Sequence, residues 1–241
     1  MHVYLAWSLA LLGVWAVVYF ARAVVRPKML ATSALTGVLG LTEPIFVPRY
    51  WHPPTLFGLA ERTGFDIESL IFAFAAGGLA SVLYDAAIGQ ESTRVHADAR
   101  LAPRHRWHRW ALATPVPVFI ALFGLTSLNP IYIASLSLVA GGGATVACRP
   151  DLLRRMVVGA GIFLVLYLVY FLSLVTVYPA YVGAVRHLPA LSGVLILGIP
   201  LEELLFAISL GWMWSSVYEH VAWAQASDVG ATRVHMHGKW R

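Results

Sequence analysis

Residues 198–219 read GIPLEELLFAISLGWMWSSVYE, and they decide the fold because an earlier stretch of the chain repeats them. Residues 64–85, GFDIESLIFAFAAGGLASVLYD, align with them without a gap. The shared positions include Gly64/Gly198, Glu68/Glu202, Phe72/Phe206, Gly77/Gly211 and Tyr84/Tyr218. Apolar helices share leucines through composition alone, whereas a shared glutamate and tyrosine sixteen residues apart indicate an internal duplication.

The composition is that of a membrane protein. Hydrophobic residues make up 59% of the chain and charged residues only 12%, far from the average of soluble proteins. Several apolar runs are long enough to cross a bilayer. We predict an all-α integral membrane protein with seven transmembrane helices, at residues 2–21, 29–47, 66–89, 110–127, 129–147, 153–178 and 191–221.

The basic residues predict the orientation of these spans. With the N-terminus outside, most of the 17 Lys and Arg fall on the inner side, and only Arg49, Arg62 and Arg186 fall on the outer side. We therefore predict a multi-pass protein of the cell membrane whose C-terminus is cytoplasmic. The net charge of +5 then reflects topology and contact with anionic membrane lipid, and we expect no nucleic-acid partner.

The repeat predicts the organisation of the chain. We expect a first three-helix repeat at residues 1–90, a basic inner loop plus a linker helix at 91–128, a second three-helix repeat at 129–221 and a cytoplasmic tail at 222–241. Equivalent helices are four positions apart in the order of spans, as spans one and five are, so the two repeats run in the same direction through the membrane. Sites in such 3+1+3 proteins tend to lie between the repeats. A weaker echo, VRPKML at 25–30 and CRPDLL at 148–153, supports the duplication.

The acidic residues inside the apolar runs are the candidate functional groups. A charged side chain at the centre of a membrane helix costs about 2.5–3.5 kcal/mol on insertion scales. Asp66 and Pro200 suit the starts of two helices, which would put the following glutamates near the positive ends of the helix dipoles. We expect four glutamates to converge in the outer half of the bundle: Glu43, Glu68, Glu202 and Glu203.

A second polar set is predicted about 24 Å away, at the inner helix ends. It contains Tyr84, Asp85, Tyr218 and Glu219, and the two acids are predicted to be interfacial. We predict that the substrate-binding residues are Phe72, Phe206, Trp212, Tyr218 and Tyr84. For Trp212 the sequence leaves three roles open: lining a polyene cavity, stabilising a cation or simple packing. For Glu43, Glu68 and Glu202 a purely structural role also stays open.

The sequence argues against several cofactors. HRWHRW at 105–110 and HMH at 235–237 do not offer three or four ligands at the spacing of a zinc site, so we predict no metal. No GxGxxG or P-loop motif is present, which argues against a nucleotide cofactor. A retinal Schiff base needs an intramembrane lysine, and Lys28 and Lys239 are predicted to lie in a loop and in the tail. The single Cys148 excludes an internal disulfide.

Three motifs together resemble a known family. PLEELLF at 200–206, its imperfect repeat DIESLIF at 66–72, and LTEPIFVPRYWHPP at 41–54 resemble the lycopene cyclase domain of bacteria, archaea and fungi. That domain occurs as two small subunits or as a fused tandem, and this chain is similar to the fused form over nearly its whole length. The first repeat departs from the pattern, because Asp66 replaces the proline and Ser69 replaces the second glutamate.

The resemblance implies cyclisation of the linear ψ-ends of lycopene, or of a related polyene, to β-rings without any cofactor. An acid protonates the terminal double bond, a neighbouring double bond attacks the cation, and a base removes a ring proton. We predict that Glu202 and Glu203 act as acids and that Glu68 and Glu43 act as base or cation stabiliser. Beyond the polyene, the expected partners are membrane lipid and either a second copy of the chain or other carotenoid-pathway enzymes.

Two functions of other classes stay open at this point. A 3+1+3 repeat with prolines inside its helices is also the plan of small-solute carriers, in which the glutamates would bind a cation or solute. The chain could also bind a carotenoid without altering it.

Overall fold

The computed structural model describes residues 2–88, 92–94, 100 and 102–226. Its helices are α1 (Val3–Ala21), α2 (Arg26–Leu39), α3 (Glu43–Phe46), α4 (Leu59–Thr63), α5 (Ile67–Ile88), α6 (His108–Ala113), α7 (Pro115–Leu125), α8 (Pro130–Cys148), α9 (Leu153–Val177), α10 (Tyr181–Val185) and α11 (Leu201–Ala222). Short 3-10 turns join several of them, at Ala23–Val25, Gly40–Thr42, Leu56–Gly58, Pro103–Trp107, Pro150–Leu152 and Leu188–Ala190.

Two small antiparallel sheets complete the described structure. The strands are β1 (Ser92–Arg94), β2 (Leu195–Ile196), β3 (Ile199–Pro200) and β4 (Ala224–Ala226). β1 pairs with β4, and β2 pairs with β3 in a tight hairpin. Residues 91, 95–99 and 101 of the predicted basic inner loop and residues 227–241 of the predicted tail, including the HMH motif, lie outside the described residues.

The prediction of an all-α membrane protein is confirmed in its broad form. Among the described residues, five helical stretches are long and apolar enough to cross a bilayer: Val3–Ala21, Ala23–Phe46, Ile67–Ile88, Pro130–Cys148 and Pro150–Val177. A sixth arises if the bent pair Pro103–Ala113 and Pro115–Leu125 is taken as one span. α11 has 22 residues but carries three acids and is not among them.

Two of the predicted spans are interrupted where prolines stand. The fourth, predicted as one helix at 110–127, bends by 49° between Ala113 and Pro115, because a proline inside a helix lacks the N–H group and clashes with the preceding turn. The seventh, predicted at 191–221, is a hairpin up to Pro200 and a helix only from Leu201. Leu197 and Gly198, at the hairpin turn, both have positive φ, as a two-residue turn of this kind requires.

The two halves of the chain have helices of similar length in a similar order. α1 and α8 each have 19 residues, and each is followed by a C-cap arginine in nearly the same conformation: Arg22 at φ −126°, ψ 81° and Arg149 at φ −131°, ψ 71°. A 3-10 turn and a helix follow in both halves. α5 and α11 each have 22 residues, and the glycines preceding them, Gly64 and Gly198, have φ of 78° and 82°.

The structure corrects the register of the weaker sequence echo. VRPKML and CRPDLL align Arg26 with Arg149. When the C-terminal ends of α1 and α8 are compared, Arg22 corresponds to Arg149. Arg22 is four residues before Arg26, the residue that the sequence match aligns with Arg149. The echo therefore reflects similar composition at the start of a helix, whereas the longer repeat at 64–85 and 198–219 keeps its predicted register at both glycines.

α5 and α11 form the centre of the bundle, and small residues let their neighbours approach closely. α5 packs on α1, α2, α9 and α11, while α11 also packs on α8 and α9. A Cβ at Gly77 would overlap Thr36 Oγ1 on α2, and one at Gly211 would lie 2.8 Å from Ala160 Cα on α9. These two glycines, which align in the sequence, thus serve the same purpose, close contact with the preceding long helix.

A buried network of four charges ties the helices together at one end of the bundle, which we call the charged end. Lys28 Nζ lies 2.9 Å from Asp85 Oδ2 and 2.6 Å from Glu219 Oε1. Arg155 lies 2.6 Å from Asp85 Oδ1 and 2.9 Å from Glu219 Oε1. All four residues are at most 6% exposed. Asp85 and Glu219, which are predicted to be interfacial, are thus buried within the protein and paired with buried cations.

The prediction that Lys28 lies in a loop is wrong. Lys28 is buried in the first turn of α2 instead of lying in a loop. Its ammonium group is held by both acids of the network, so its role in the structure is that of an ion-pair partner.

We expect Arg155→Met to lower the free energy of unfolding by about 3–5 kcal/mol, because it leaves two buried carboxylates with one cation. The matched control is Arg154→Met at the neighbouring, exposed position, which should change stability by less than about 0.5 kcal/mol. Denaturant unfolding in detergent micelles measures both. Equal stability of the two variants would show that the network contributes nothing.

We expect Gly77→Ala to destabilise the protein by about 1–3 kcal/mol, because the new methyl group forces α5 and α2 apart at Thr36. Gly143→Ala on α8 meets no atom within 4 Å and gains helix propensity, so it should be neutral or slightly stabilising. Thermal unfolding in micelles compares the two. A Gly77→Ala variant as stable as Gly143→Ala would contradict the close packing.

Candidate active site

Two adjacent glutamates at the start of α11, Glu202 and Glu203, lie in different surroundings. The β2–β3 hairpin brings the chain to Pro200, and the helix begins at the next residue. Glu202 and Glu203 lie in the first turn and are 1% and 3% exposed. Adjacent residues on a helix do not face the same way, and the two carboxyl groups accordingly have different partners.

Three side chains hold the carboxyl group of Glu203. Arg186 Nη2 lies 2.5 Å from its Oε1, the Tyr167 hydroxyl donates to Oε2 at 2.7 Å, and the Tyr50 hydroxyl donates to Oε1. The Arg186 guanidinium lies over the rings of Tyr50 and Trp51, 4.6 and 4.5 Å from their centroids. Burial lowers the pKa of Arg186, but the Glu203 carboxylate together with Tyr50, Tyr167 and Tyr181 more than offsets this, so that pKa lies above its ordinary value.

Glu43 has a different environment. It begins α3 and is 7% exposed. Among the described residues, its Oε1 has no hydrogen-bond partner, and Ser69 and Trp51 are the polar side chains beside its carboxyl group. Ser69 is in turn fixed by the Tyr4 hydroxyl at 2.9 Å. Glu43 is thus a buried carboxyl group without a direct cationic partner.

Glu43 and Glu203 line the same cavity, which has a volume of about 650 Å³. This volume is in the range of small-molecule sites. Its wall is mostly apolar and rich in aromatic rings, including Tyr4, Trp7, Phe72, Tyr167, Tyr170, Phe171, Phe206 and Trp214. Phe72 packs against Tyr167 and Tyr170 with ring centroids 6.3 Å apart. We call the end of the bundle that holds these two glutamates the cavity end.

The cavity is accessible from the apolar outside of the bundle. Leu35 and Leu39 on α2 line it, as do Val116 and Ile120 on α7, and these four side chains are between 46% and 66% exposed. Apolar side chains at the surface of a membrane bundle face lipid. A hydrophobic molecule dissolved in the bilayer can therefore reach the two glutamates between α2 and α7 without passing through water.

The other two predicted catalytic glutamates are tied to backbone. Glu68 Oε1 accepts the Leu56 N–H at 2.7 Å, and Glu202 Oε1 accepts the Ser192 N–H at 2.8 Å and the Tyr132 hydroxyl. Each thereby fastens the loop that precedes its own helix. The residues that line the cavity include neither. The structure thus brings together Glu43 and Glu203 and places Glu68 and Glu202 in equivalent positions behind them.

The predicted substrate-binding residues also fall into two groups. Phe72 and Phe206 line the cavity. Tyr84 and Tyr218 lie at the charged end, where Arg155 is 4.9 Å from the Tyr84 ring and Lys28 is 6.0 Å from the Tyr218 ring. Trp212 faces α8 at Gly142. Tyr84, Tyr218 and Trp212 therefore lie outside the cavity.

Sequence reasoning missed the partners of Glu203. The sequence marks Arg186 only as a basic residue of the outer side, and it contains Tyr50 only as one letter of the motif at 41–54. Tyr167 and Tyr170 were not singled out, although their spacing of three residues inside an apolar run, LYLVY at 166–170, puts two hydroxyl groups on one helix face. That spacing is the signal that could have found them.

Together, the helices and the cavity define a class of protein: a multi-pass membrane protein with an acidic, aromatic-walled site accessible from lipid. Residues 129–221 match the family model described as lycopene cyclase. This segment has the bounds of the predicted second repeat and contains α8, α9 and α11. The match confirms the resemblance over residues 129–221, which are similar to the lycopene cyclase family. Comparisons with curated proteins and with solved structures found no match.

Proposed function

We propose that the chain is a membrane carotenoid cyclase that converts the ψ-ends of lycopene, or of a closely related polyene, to β-rings. The observation that carries the proposal is the placement of Glu43 and Glu203 in one lipid-accessible aromatic cavity. The match of residues 129–221 to the lycopene cyclase family supports the same reaction. A hydrophobic wall of this kind suits a polyene better than the polar solute of a carrier.

The proposal includes a 3+1+3 arrangement of seven spans. α11 would be the seventh, and the bent pair of helices around Pro115 would be the linker between the repeats. The recurring element lengths support this arrangement. The distribution of Lys and Arg supports an orientation with the cavity end at the outer side and the charged end at the cytoplasmic side.

Glu43 is the proposed acid. Desolvation disfavours the charged form of a buried carboxyl group that lacks a direct cationic partner, so Glu43 can enter the reaction as the neutral acid. Its unpartnered Oε1 is free to present the proton to a bound alkene. Transfer of that proton to the terminal double bond of the ψ-end leaves a tertiary carbocation and the Glu43 carboxylate.

The aromatic wall and Glu203 carry the remaining steps. The neighbouring double bond attacks the carbocation, which closes the six-membered ring and moves the positive charge to a ring carbon. The faces of Tyr167, Tyr170 and Phe72 can stabilise the cation. Loss of a ring proton to the Glu203 carboxylate then gives the ring double bond. A cation of this type is a very strong acid, so a carboxylate paired with Arg186 is basic enough to accept its proton.

The net reaction is an isomerisation without a redox step. One proton is added and another is removed for each ring, so the atoms and electrons balance without a cofactor. Glu68 and Glu202 would act by positioning. Their hydrogen bonds to the Leu56 and Ser192 N–H groups hold the loops that carry the cavity end. Direct catalysis by these two residues, as predicted from the sequence, is the alternative that the variants below distinguish.

Pigment analysis in cells that accumulate lycopene tests the proposal. The chain expressed alone should yield monocyclic and bicyclic products, separated by chromatography. Glu43→Gln and Glu203→Gln should each lower ring formation at least about 100-fold, since general acid–base groups contribute about 10²–10⁴-fold. Glu61→Gln, at an exposed site in α4, is the matched control and should retain activity.

The same assay with Glu68→Gln and Glu202→Gln distinguishes positioning from catalysis. An amide oxygen still accepts the loop N–H, so we expect these variants to keep at least about a tenth of the activity. Activity retained in Glu43→Gln and Glu203→Gln but lost in Glu68→Gln and Glu202→Gln would overturn the assignment of roles. Unaltered lycopene bound to the folded wild-type protein would favour a carotenoid-binding protein instead.

A further inference from the structure

A buried cluster of nitrogen and sulfur donors lies at the charged end, apart from the cavity. It contains His105 from the 3-10 turn Pro103–Trp107, His108 from the start of α6 and Cys148 from the end of α8. These side chains are 7%, 9% and 4% exposed. One ligand atom from each lies within 4.8 Å of those from the other two. The fold thus adds Cys148 to the histidine pair, for which the sequence alone offered no third ligand.

The distances within the cluster are those of ligands around one small metal ion. Cys148 Sγ lies 3.4 Å from His105 Nδ1 and 3.5 Å from His108 Nδ1. Tetrahedral zinc with Zn–S of about 2.3 Å and Zn–N of about 2.0–2.1 Å separates its ligand atoms by roughly 3.3–3.6 Å. The exposed Arg104 contacts the other nitrogen of His105 at 3.3 Å, and it must turn away when that nitrogen carries the proton.

A third histidine stands next to the cluster. His220 Nε2, near the end of α11, lies 3.0 Å from His108 Nδ1, and its own Nδ1 lies 3.1 Å from the Thr145 hydroxyl. Metal-bound histidines typically use one ring nitrogen for the metal and the other for such a fixing hydrogen bond. His220 is therefore placed to supply the fourth ligand after a small shift. Trp223 covers the cluster by stacking on His108, with ring centroids 3.9 Å apart.

The donor set selects the kind of metal. Imidazole nitrogen and thiolate sulfur bind zinc well, whereas magnesium and calcium prefer oxygen ligands. The main nearby cation, Arg149, is paired with Asp151 at 2.6 Å, which reduces its repulsion of a bound ion.

We infer that His105, His108 and Cys148, with His220 at the fourth position, bind one Zn²⁺ ion in a structural site. The ion joins the first half of the proposed linker, which carries His105 and His108, to the ends of α8 and α11. His220 is seventeen residues after Glu203 on α11, or about 26 Å along the helix. The site is too far from the cavity to take part in cyclisation, and the inference does not depend on the proposed function.

Metal analysis of the intact protein tests the inference. The chain is purified in detergent without a histidine tag, stripped with a chelator, and titrated with Zn²⁺ or Co²⁺. We expect one ion per chain, a thiolate-to-cobalt charge-transfer band and intense d–d absorption typical of tetrahedral Co²⁺. Zinc at about 100 times its Kd should raise the Tm by about 5 °C or more.

Variants separate this site from adventitious binding. Cys148→Ser should abolish the charge-transfer band and weaken zinc binding at least about 100-fold, and His108→Gln should weaken zinc binding similarly. The double variant His235→Ala/His237→Ala, in the C-terminal tail, and His52→Gln, at an exposed position, are the controls and should bind zinc like the wild type.

The inference is overturned by fewer than about 0.2 ions per chain in the folded wild-type protein, or by a cobalt spectrum without a thiolate band. It is also overturned if the tail variant, rather than Cys148→Ser, loses the metal. The wild-type stoichiometry and spectrum decide the question even if Cys148→Ser fails to fold.

Discussion

A carboxylate buried in an apolar bundle must find a partner, and the rest of this structure depends on how that constraint is met. At the charged end, Lys28 and Arg155 each contact both Asp85 and Glu219, so two acids are matched by two cations. At the cavity end Arg186 and two tyrosines hold Glu203. Glu43 is the exception, a buried acid whose Oε1 has no partner among the described residues. A group that is costly to bury and left unpaired is a natural candidate for chemistry.

The similar sequences at 64–85 and 198–219 place Glu68 and Glu202 at equivalent positions, and a difference at the next position accounts for the single set of reactive acids that we propose. Glu68 and Glu202 keep the same structural task, an acceptor for the loop before their helix. At the next position the repeats differ. Ser69 and Glu203 occupy equivalent positions in the two repeats, and both line the cavity. This pair of positions therefore contributes one carboxyl group to the cavity, whereas a glutamate in place of Ser69 would contribute a second. Two close carboxyl groups would share protons as a coupled pair, whereas Glu203 has the guanidinium group of Arg186 as its charged partner.

The sequence predicted the large-scale features because they depend on local signals. Apolar runs located the long helices, and the repeat located Gly64 and Gly198 at their left-handed turns. Prediction from the sequence failed where contacts between distant parts of the chain decide the structure. No local signal pairs Lys28 with Glu219 or joins Arg186 to Glu203, since these contacts link residues far apart in the chain. Glu202 and Glu203 are neighbours in sequence, and only the packed bundle shows that one faces a loop and the other a cavity.

The most direct test of the central claim is cyclisation of lycopene by the purified protein in D₂O. If a solvent-exchangeable carboxyl group donates the initiating proton, each new ring carries one deuterium, at the carbon that was the protonated alkene carbon. Mass spectrometry of the monocyclic and bicyclic products counts the label. One deuterium in the former and two in the latter is the result that the account predicts. Unlabelled rings formed in fully exchanged protein would contradict protonation by a buried glutamic acid.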